Sequence, residues 1–146
     1  MGNRMEGAMS NLADRLAIEL SSPADLPQGV VISDPSSPDY PIVFVDDEFE
    51  RQTGYTAAEI MGRDYGVLNG PGTDPESVRA IRRAMEAGTE ITVDLVNYRK
   101  DGSPFWNRLR LRPLYDQRGR LQYYAAAQTT ISPHQVLDRP IEAVLD

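Results

Sequence analysis

Between Gly88 and Ile131 the chain reads as three long strands in succession, and no other stretch restricts its fold as tightly. Residues 91–99, 105–114 and 121–131 carry the β-branched and aromatic content of strands. The segments between them, KDGS and DQRG, have the chemistry of hairpin turns. Arg108, Arg110 and Arg112 alternate with Leu109 and Leu111, so one face is wet and the other packs inward.

The upstream half supplies what covers that inward face. Residues 30–33 and 42–45 read as two short strands, and DPSSPDYP between them is turn chemistry, giving a hairpin or a near neighbour of one. Asp46, Asp47 and Glu48 precede Phe49; acidic residues there cap a helix and suit its positive end better than they suit acid–base work. Residues 49–61 hold short helical turns broken by Gly54. TDPE then opens the strongest helix signal. Either Thr73 and Glu76 form a capping box, or Asp74 caps with Pro75 at the first helical position. Val78, Ile81 and Met85 form its expected apolar stripe, and Gly88 closes it.

The order β-β, short helices, one connecting helix, β-β-β describes an α+β domain: a five-stranded antiparallel sheet with helices on one face, enclosing a pocket between the layers. This core occupies 30–132. Residues 1–29 form an N-terminal extension in which Leu12, Leu16 and Leu20 mark an amphipathic helix, and 133–146 a short C-terminal extension. Pro133 and Pro140 leave only short helical turns in that tail.

Composition removes most other functions. A chain of 146 residues is one domain by size. Lys and Arg number 15 against 22 Asp and Glu, a net charge of −7 that argues against nucleic acid as partner. With no cysteine there is no disulfide, thiolate metal site or cysteine nucleophile. The single histidine, His134 beside Pro133, cannot build a zinc site or serve a hydrolase triad. GPG at 70–72 lacks the lysine of a phosphate-binding loop. No apolar run is long enough for a membrane span, no signal-peptide pattern opens the chain, and MGNRME places Glu6 where a myristoylation site wants Ser or Thr. The expectation is a cytoplasmic protein, off the membrane, that is not an enzyme.

Four stretches carry a family resemblance: PIVFVDDEFERQTGY, GRDYGVLNGPGTDP, LVNYRKDGSPFWN and YYAAAQTTIS. Together they resemble the light-oxygen-voltage (LOV) domain, the flavin-binding branch of the PAS superfamily, over roughly residues 30–132. The resemblance is to the short stand-alone type. It implies a PAS/LOV fold and a noncovalent flavin, FMN or riboflavin. Asn97 and Asn107 match the pair that hydrogen-bonds the flavin's pyrimidine edge, where an amide supplies both donor and acceptor. Gln128 matches the glutamine that senses the ring's N5 and O4, and Arg82 matches a phosphate-binding arginine.

The second stretch departs from the family's GRNCRFLQG. Tyr65 stands at the photoactive cysteine, Gly66 at the other phosphate arginine, Asp64 at the asparagine, Asn69 at the glutamine and Val67 at a larger phenylalanine. Loss of one arginine costs a charge-assisted contact of about 1.5–3 kcal/mol, so the resemblance implies weak phosphate preference. Ala126 replaces a usual glycine and crowds the ring side of the pocket.

Without a thiol no adduct forms. One reading is a sensory domain that binds flavin noncovalently, with Tyr65 donating an electron so that any response runs through flavin photoreduction. The other is a flavin-free PAS-type interaction module with Tyr65 filling the pocket. In either case output passes to a protein effector or through a homodimer, for which the Leu12/Leu16/Leu20 stripe is a candidate surface.

Overall fold

The structure, a computed structural model, describes residues 27–137 and 141–143. The expected N-terminal helix, and with it the candidate dimer surface, lies outside the described residues.

The described chain runs β1 (Gly29–Ser33), β2 (Ile42–Val45), α1 (Asp47–Thr53), α2 (Ala57–Ile60), α3 (Pro75–Ala87), β3 (Glu90–Tyr98), β4 (Pro104–Tyr115), β5 (Leu121–Ile131) and β6 (Ile141–Ala143). All pairings are antiparallel, in the order β2-β1-β5-β4-β3-β6. The five expected strands are present. The tail has the expected short helical turn, a 3-10 turn at Pro133–Gln135, and beyond it a sixth, three-residue strand, not expected, that pairs Ile141–Ala143 with Glu90–Thr92 at the sheet edge. A segment that short has no periodicity to read; the free edge of β3 decides its conformation.

Helix starts follow side-chain chemistry. Asp46 caps α1: its Oδ1 accepts from Phe49 N at 2.9 Å and from Val30 N at 3.0 Å, so one carboxylate ties the helix to β1. Burial pushes the Asp46 carboxyl up from its ordinary value. Gly54 ends α1 in the left-handed region at φ 80°. Thr56 and Glu59 form the capping box of α2.

For α3, the Asp74 alternative holds, with Pro75 at the start. Thr73 is occupied elsewhere: its hydroxyl accepts from Gly70 N and donates to Val96 O, stitching the loop to β3. The buried face of α3 is Ser77, Ala80, Ile81, Ala84 and Met85. Val78, expected in that stripe, is half-exposed at the rim. The true stripe is built on small residues, which let the helix lie close to the sheet, and an apolar count passes over them.

The main core lies between these helices and one sheet face, with Val31, Phe49, Ile60, Ile81, Met85, Ile91, Val93, Leu95, Leu111 and Tyr124 buried in it. The Tyr124 hydroxyl donates to Ala84 O and reaches Thr89 O, fastening β5 to the end of α3. Burial pushes its phenol well above the ordinary 10.0.

Candidate functional site

A narrow apolar slot runs between the sheet and the helical layer. Its floor is the core-facing side of β5, β4 and β3, through Tyr124, Ala126, Gln128, Leu109, Leu111, Leu95 and Asn97. Its roof is Phe49, Ile81, Met85 and the loop from Tyr65 to Asn69. The slot holds a cavity of about 40 Å³. That is room for a few waters, so the walls lie close together.

The polar groups of the slot gather at one end, placed there by strand register. Asn107 pairs with Leu95 across β3–β4, which makes Asn97 its diagonal neighbour on the same face. Gln128 faces Leu109, two positions along β4 from Asn107. Three amides on three adjacent strands therefore meet. Asn107 Nδ2 donates to Asn97 Oδ1 at 2.9 Å and lies 3.5 Å from Gln128 Oε1. Asn97 Nδ2 donates to Asn69 Oδ1 at 2.9 Å, extending the chain into the loop. In the other direction Gln128 Nε2 lies 3.5 Å from Gln52 Oε1. Gln52 in turn donates to Glu48 at 2.9 Å and to Pro27 O at 3.2 Å.

This network is incomplete. Asn107 is fully buried, yet its Oδ1 has no hydrogen-bond partner. An unmatched buried acceptor costs about 1–3 kcal/mol. The two contacts at 3.5 Å are at the limit of a useful bond. The donor set is thus an amide cluster with a spare acceptor and loosely held donors, the complement of a ligand edge that alternates N–H and carbonyl. A flavin's pyrimidine edge has that pattern, and the residues present fit it.

The other end opens to solvent. There Arg63, Asp64, Tyr65, Asn69, Val78 and Arg82 line a second, wider pocket of about 280 Å³. Tyr65, Gly66, Val67 and Asn69 belong to both pockets, so the slot and its mouth are continuous. Tyr65 is half-buried and packs edge-on against Tyr40, with ring centroids 5.7 Å apart at 77°. Tyr40 is the single non-glycine residue with positive φ among the described residues, at 47°. Burial raises the Tyr65 phenol; Arg82 opposes the shift, and Asp64 adds to it. Asp64 Oδ1 accepts from Gly66 N at 2.7 Å, folding the tip of the loop.

The comparisons with known proteins fit this architecture. The PAS domain family matches residues 27–133. A solved structure described as "Flavin Analogue Sheds Light on Light-Oxygen-Voltage Domain Mechanism" is 41% identical, with a TM-score of 0.74, over 85% of this chain and 87% of that one. The LOV domain from the Erythrobacter litoralis EL346 blue-light activated histidine kinase is 36% identical, with a TM-score of 0.69, over 73% and 97%. This chain belongs to the LOV branch of the PAS domain family. Among longer LOV relatives, a blue-light-activated histidine kinase of Brucella canis is 42% identical over 128 residues, covering 86% of this chain and 25% of that protein. A second, from Erythrobacter litoralis (strain HTCC2594), is 44% identical over 118 residues, covering 81% and 32%. The LOV chain thus spans about a quarter to a third of those kinases.

Of the residues picked from sequence, Asn97, Asn107, Gln128 and Asn69 come together in the amide chain. Asp64, Tyr65 and Arg82 meet at the mouth, with Arg82 on the exposed side of α3. Three participants were missed. Gln52 is an ordinary helical residue until the fold brings it to Gln128, and Tyr40 sits in what reads as turn sequence. Arg63, directly before Asp64 in GRDYGVLNGPGTDP, reads along the chain as one more surface charge.

Proposed function

We propose that this LOV domain binds a flavin noncovalently in the slot and serves as a light-responsive sensory module without a covalent adduct. The observation that carries the reading is the unpartnered Oδ1 of Asn107 within the amide cluster of the slot. Asn97, Asn107 and Gln128 would hold the pyrimidine edge, while Leu95, Leu109, Leu111, Ile81 and Met85 would sandwich the ring and exclude water. The flavin, when bound, supplies blue-light absorption and an electron-accepting excited state.

The chain's own residues decide how that excited state is used. No cysteine is present, so no thiol can bond to the ring. Tyr65 and Tyr124 are the two phenols on the wall of the slot; Tyr124 is tied to Ala84 O, whereas Tyr65 lies also at the open mouth, which gives its phenolic proton a route to solvent. Gln128 can exchange its weak bond to Gln52 for one to the ring, which couples the slot to α1 and to Pro27 at the domain's N-terminal edge. Output from such a shift passes to a protein effector in the cytoplasm, and the chain itself is not catalytic.

The test is illumination of protein reconstituted with FMN or riboflavin. Reversible bleaching, with all flavin released on denaturation, is the expected result. Tyr65→Phe should slow the bleaching and brighten flavin fluorescence. Flavin retained covalently after denaturation, or a Tyr65→Phe variant identical to the parent, contradicts the reading.

A second reading, a flavin-free interaction module, is favoured by the narrowness of the slot and by amides that bond one another. It predicts that neither flavin is taken up at all.

A further inference from the structure

Two phenol rings meet where the slot opens, and backbone register brings them together. The isolated antiparallel bridge between Pro41 and Asp64 sets Tyr40 opposite Tyr65. Ile42 N donates to Arg63 O and Gly62 N donates to Ile42 O, both at 2.8 Å, which fixes the bridge from its other side. The two rings pack edge-on with centroids 5.7 Å apart.

This contact is held against the preference of the chain. Tyr40 has φ 47°, in the left-handed region that suits glycine or asparagine and makes a bulky side chain an outlier. It also precedes Pro41, and a residue before proline is pushed toward extended backbone. The turn around it enforces the conformation: Tyr40 N donates to Ser37 O at 3.0 Å, Asp34 N to Pro41 O at 2.9 Å, and Ser36 N to Asp34 Oδ1 at 2.8 Å. Backbone outliers of this kind cluster where the side chain they present has a task. No polar anchor supplies one, because neither phenol has a hydrogen bond among the described residues. What the pair offers is two oxidisable rings in contact, Tyr65 on the wall of the slot and Tyr40 outside it.

We propose that Tyr40 is the terminal electron donor of a two-tyrosine relay, to which oxidation begun at Tyr65 by a photoexcited flavin in the slot is passed outward. The inference rests on the flavin reading and extends it to a second residue. Tyr65 loses one electron to the flavin and its phenolic proton to water at the mouth. Tyr40 then loses one electron to the Tyr65 radical and one proton to water, and Tyr65 regains a proton. The net oxidation is that of Tyr40, by one electron and one proton; the flavin, an oxidant of this strength only when photoexcited, is reduced by one electron. With the Tyr65 ring restored between them, the separated charges recombine slowly.

The experiment is flash photolysis of the full chain loaded with FMN, with flavin fluorescence read on the same samples. The proteins are the parent, Tyr40→Phe, Tyr40→Trp, Tyr65→Phe and Tyr123→Phe. Tyr123 packs on the opposite face of the sheet and is the control. Tyr40→Phe should leave fluorescence as dim as in the parent, because Tyr65 still quenches, yet shorten the life of the photoreduced state at least about tenfold. Tyr40→Trp, oxidisable at the same place, should restore that lifetime. Tyr65→Phe should brighten the fluorescence, and Tyr123→Phe should match the parent. Samples frozen under illumination should show a tyrosyl radical by electron paramagnetic resonance in the parent and none in Tyr40→Phe. Without flavin, Tyr40→Phe should unfold at the parent's denaturant midpoint, since the ring contact is kept.

A photoreduced state as long-lived in Tyr40→Phe as in the parent would overturn the relay. So would a Tyr40→Trp lifetime as short as that of Tyr40→Phe, or a lowered midpoint in flavin-free Tyr40→Phe, since either marks the residue as structural. Fluorescence as bright in Tyr40→Phe as in Tyr65→Phe would make Tyr40 a direct quencher and also overturn it. Loaded protein that never photoreduces overturns the relay and leaves flavin binding standing; a chain that takes up no flavin overturns both.

Discussion

At the inner end of the slot, Asn97, Asn107 and Gln128 stand on three adjacent strands of the ladder; at the outer end, Arg63, Asp64 and Tyr65 hang from a loop, and Arg82 stands on the exposed side of a helix. The difference lies in what fixes each position. A one-residue slip in β4 would turn Asn107 to the opposite face together with Phe105, Leu109 and Leu111, so the fold and the amide cluster stand or fall together. The loop carries no such obligation. It can exchange a cysteine for Tyr65, or an arginine for Gly66, and close again through the Asp64–Gly66 turn with the core undisturbed. Sheet-borne chemistry in this LOV domain is fixed by mechanics, while loop-borne chemistry is free to change.

Breaking the inner end should have the largest effect. Asn107→Ala removes the donor to Asn97 Oδ1 and leaves a small void, at a cost of about 1–3 kcal/mol by chemical denaturation. The same change should weaken flavin binding by about a hundredfold or more. Unaltered flavin affinity would mean that the sheet does not hold the ring.

Tyr124→Phe comes next, because Tyr124 is the bolt between the two walls. Loss of its bond to Ala84 O should destabilise the domain by about 1 kcal/mol. A neutral result would leave α3 held by apolar packing alone.

Asp64→Asn sharpens the outer end. Asparagine keeps the acceptor for Gly66 N and removes the charge, so FMN should bind about two- to fivefold tighter, with riboflavin unchanged. Equal tightening of both flavins would place Asp64 near the ring rather than near the phosphate.

The smallest effect is at alkaline pH. The fold holds Tyr124's phenol above its ordinary 10.0, favouring the protonated form. Its contribution is complete below about pH 10 and is lost as pH rises through the folded value, because the unfolded chain releases the proton first. Denaturation midpoints of the parent should fall over that range more steeply than those of Tyr124→Phe.

The inner end was legible in the sequence because period-two alternation and hairpin turns fix which residues share a face. Those place Asn97 and Asn107 as cross-strand neighbours, while Gln128 was picked through the family resemblance. The helix starts at Asp46 and at Asp74–Pro75 were legible to within two alternatives each, since capping is local chemistry, and the structure decides between them. Contacts made by loops and edges were not. Strand β6 depends on the free edge of β3, and on the buried face of α3 Ser77, Ala80 and Ala84 join the legible Ile81 and Met85 only through packing. Arg63 gains meaning only when the turn at Gly62 brings its loop beside a helix well downstream. No pattern along the chain links those positions; the tertiary fold does.

The central claim is that the amide-lined slot holds a flavin, and stoichiometry tests it most directly. Purified protein mixed with excess FMN and passed through a desalting column should retain the blue flavin absorption band at close to one flavin per chain, and Asn107→Ala should retain none. A colourless parent after the column, with its fold intact by circular dichroism, would contradict the account.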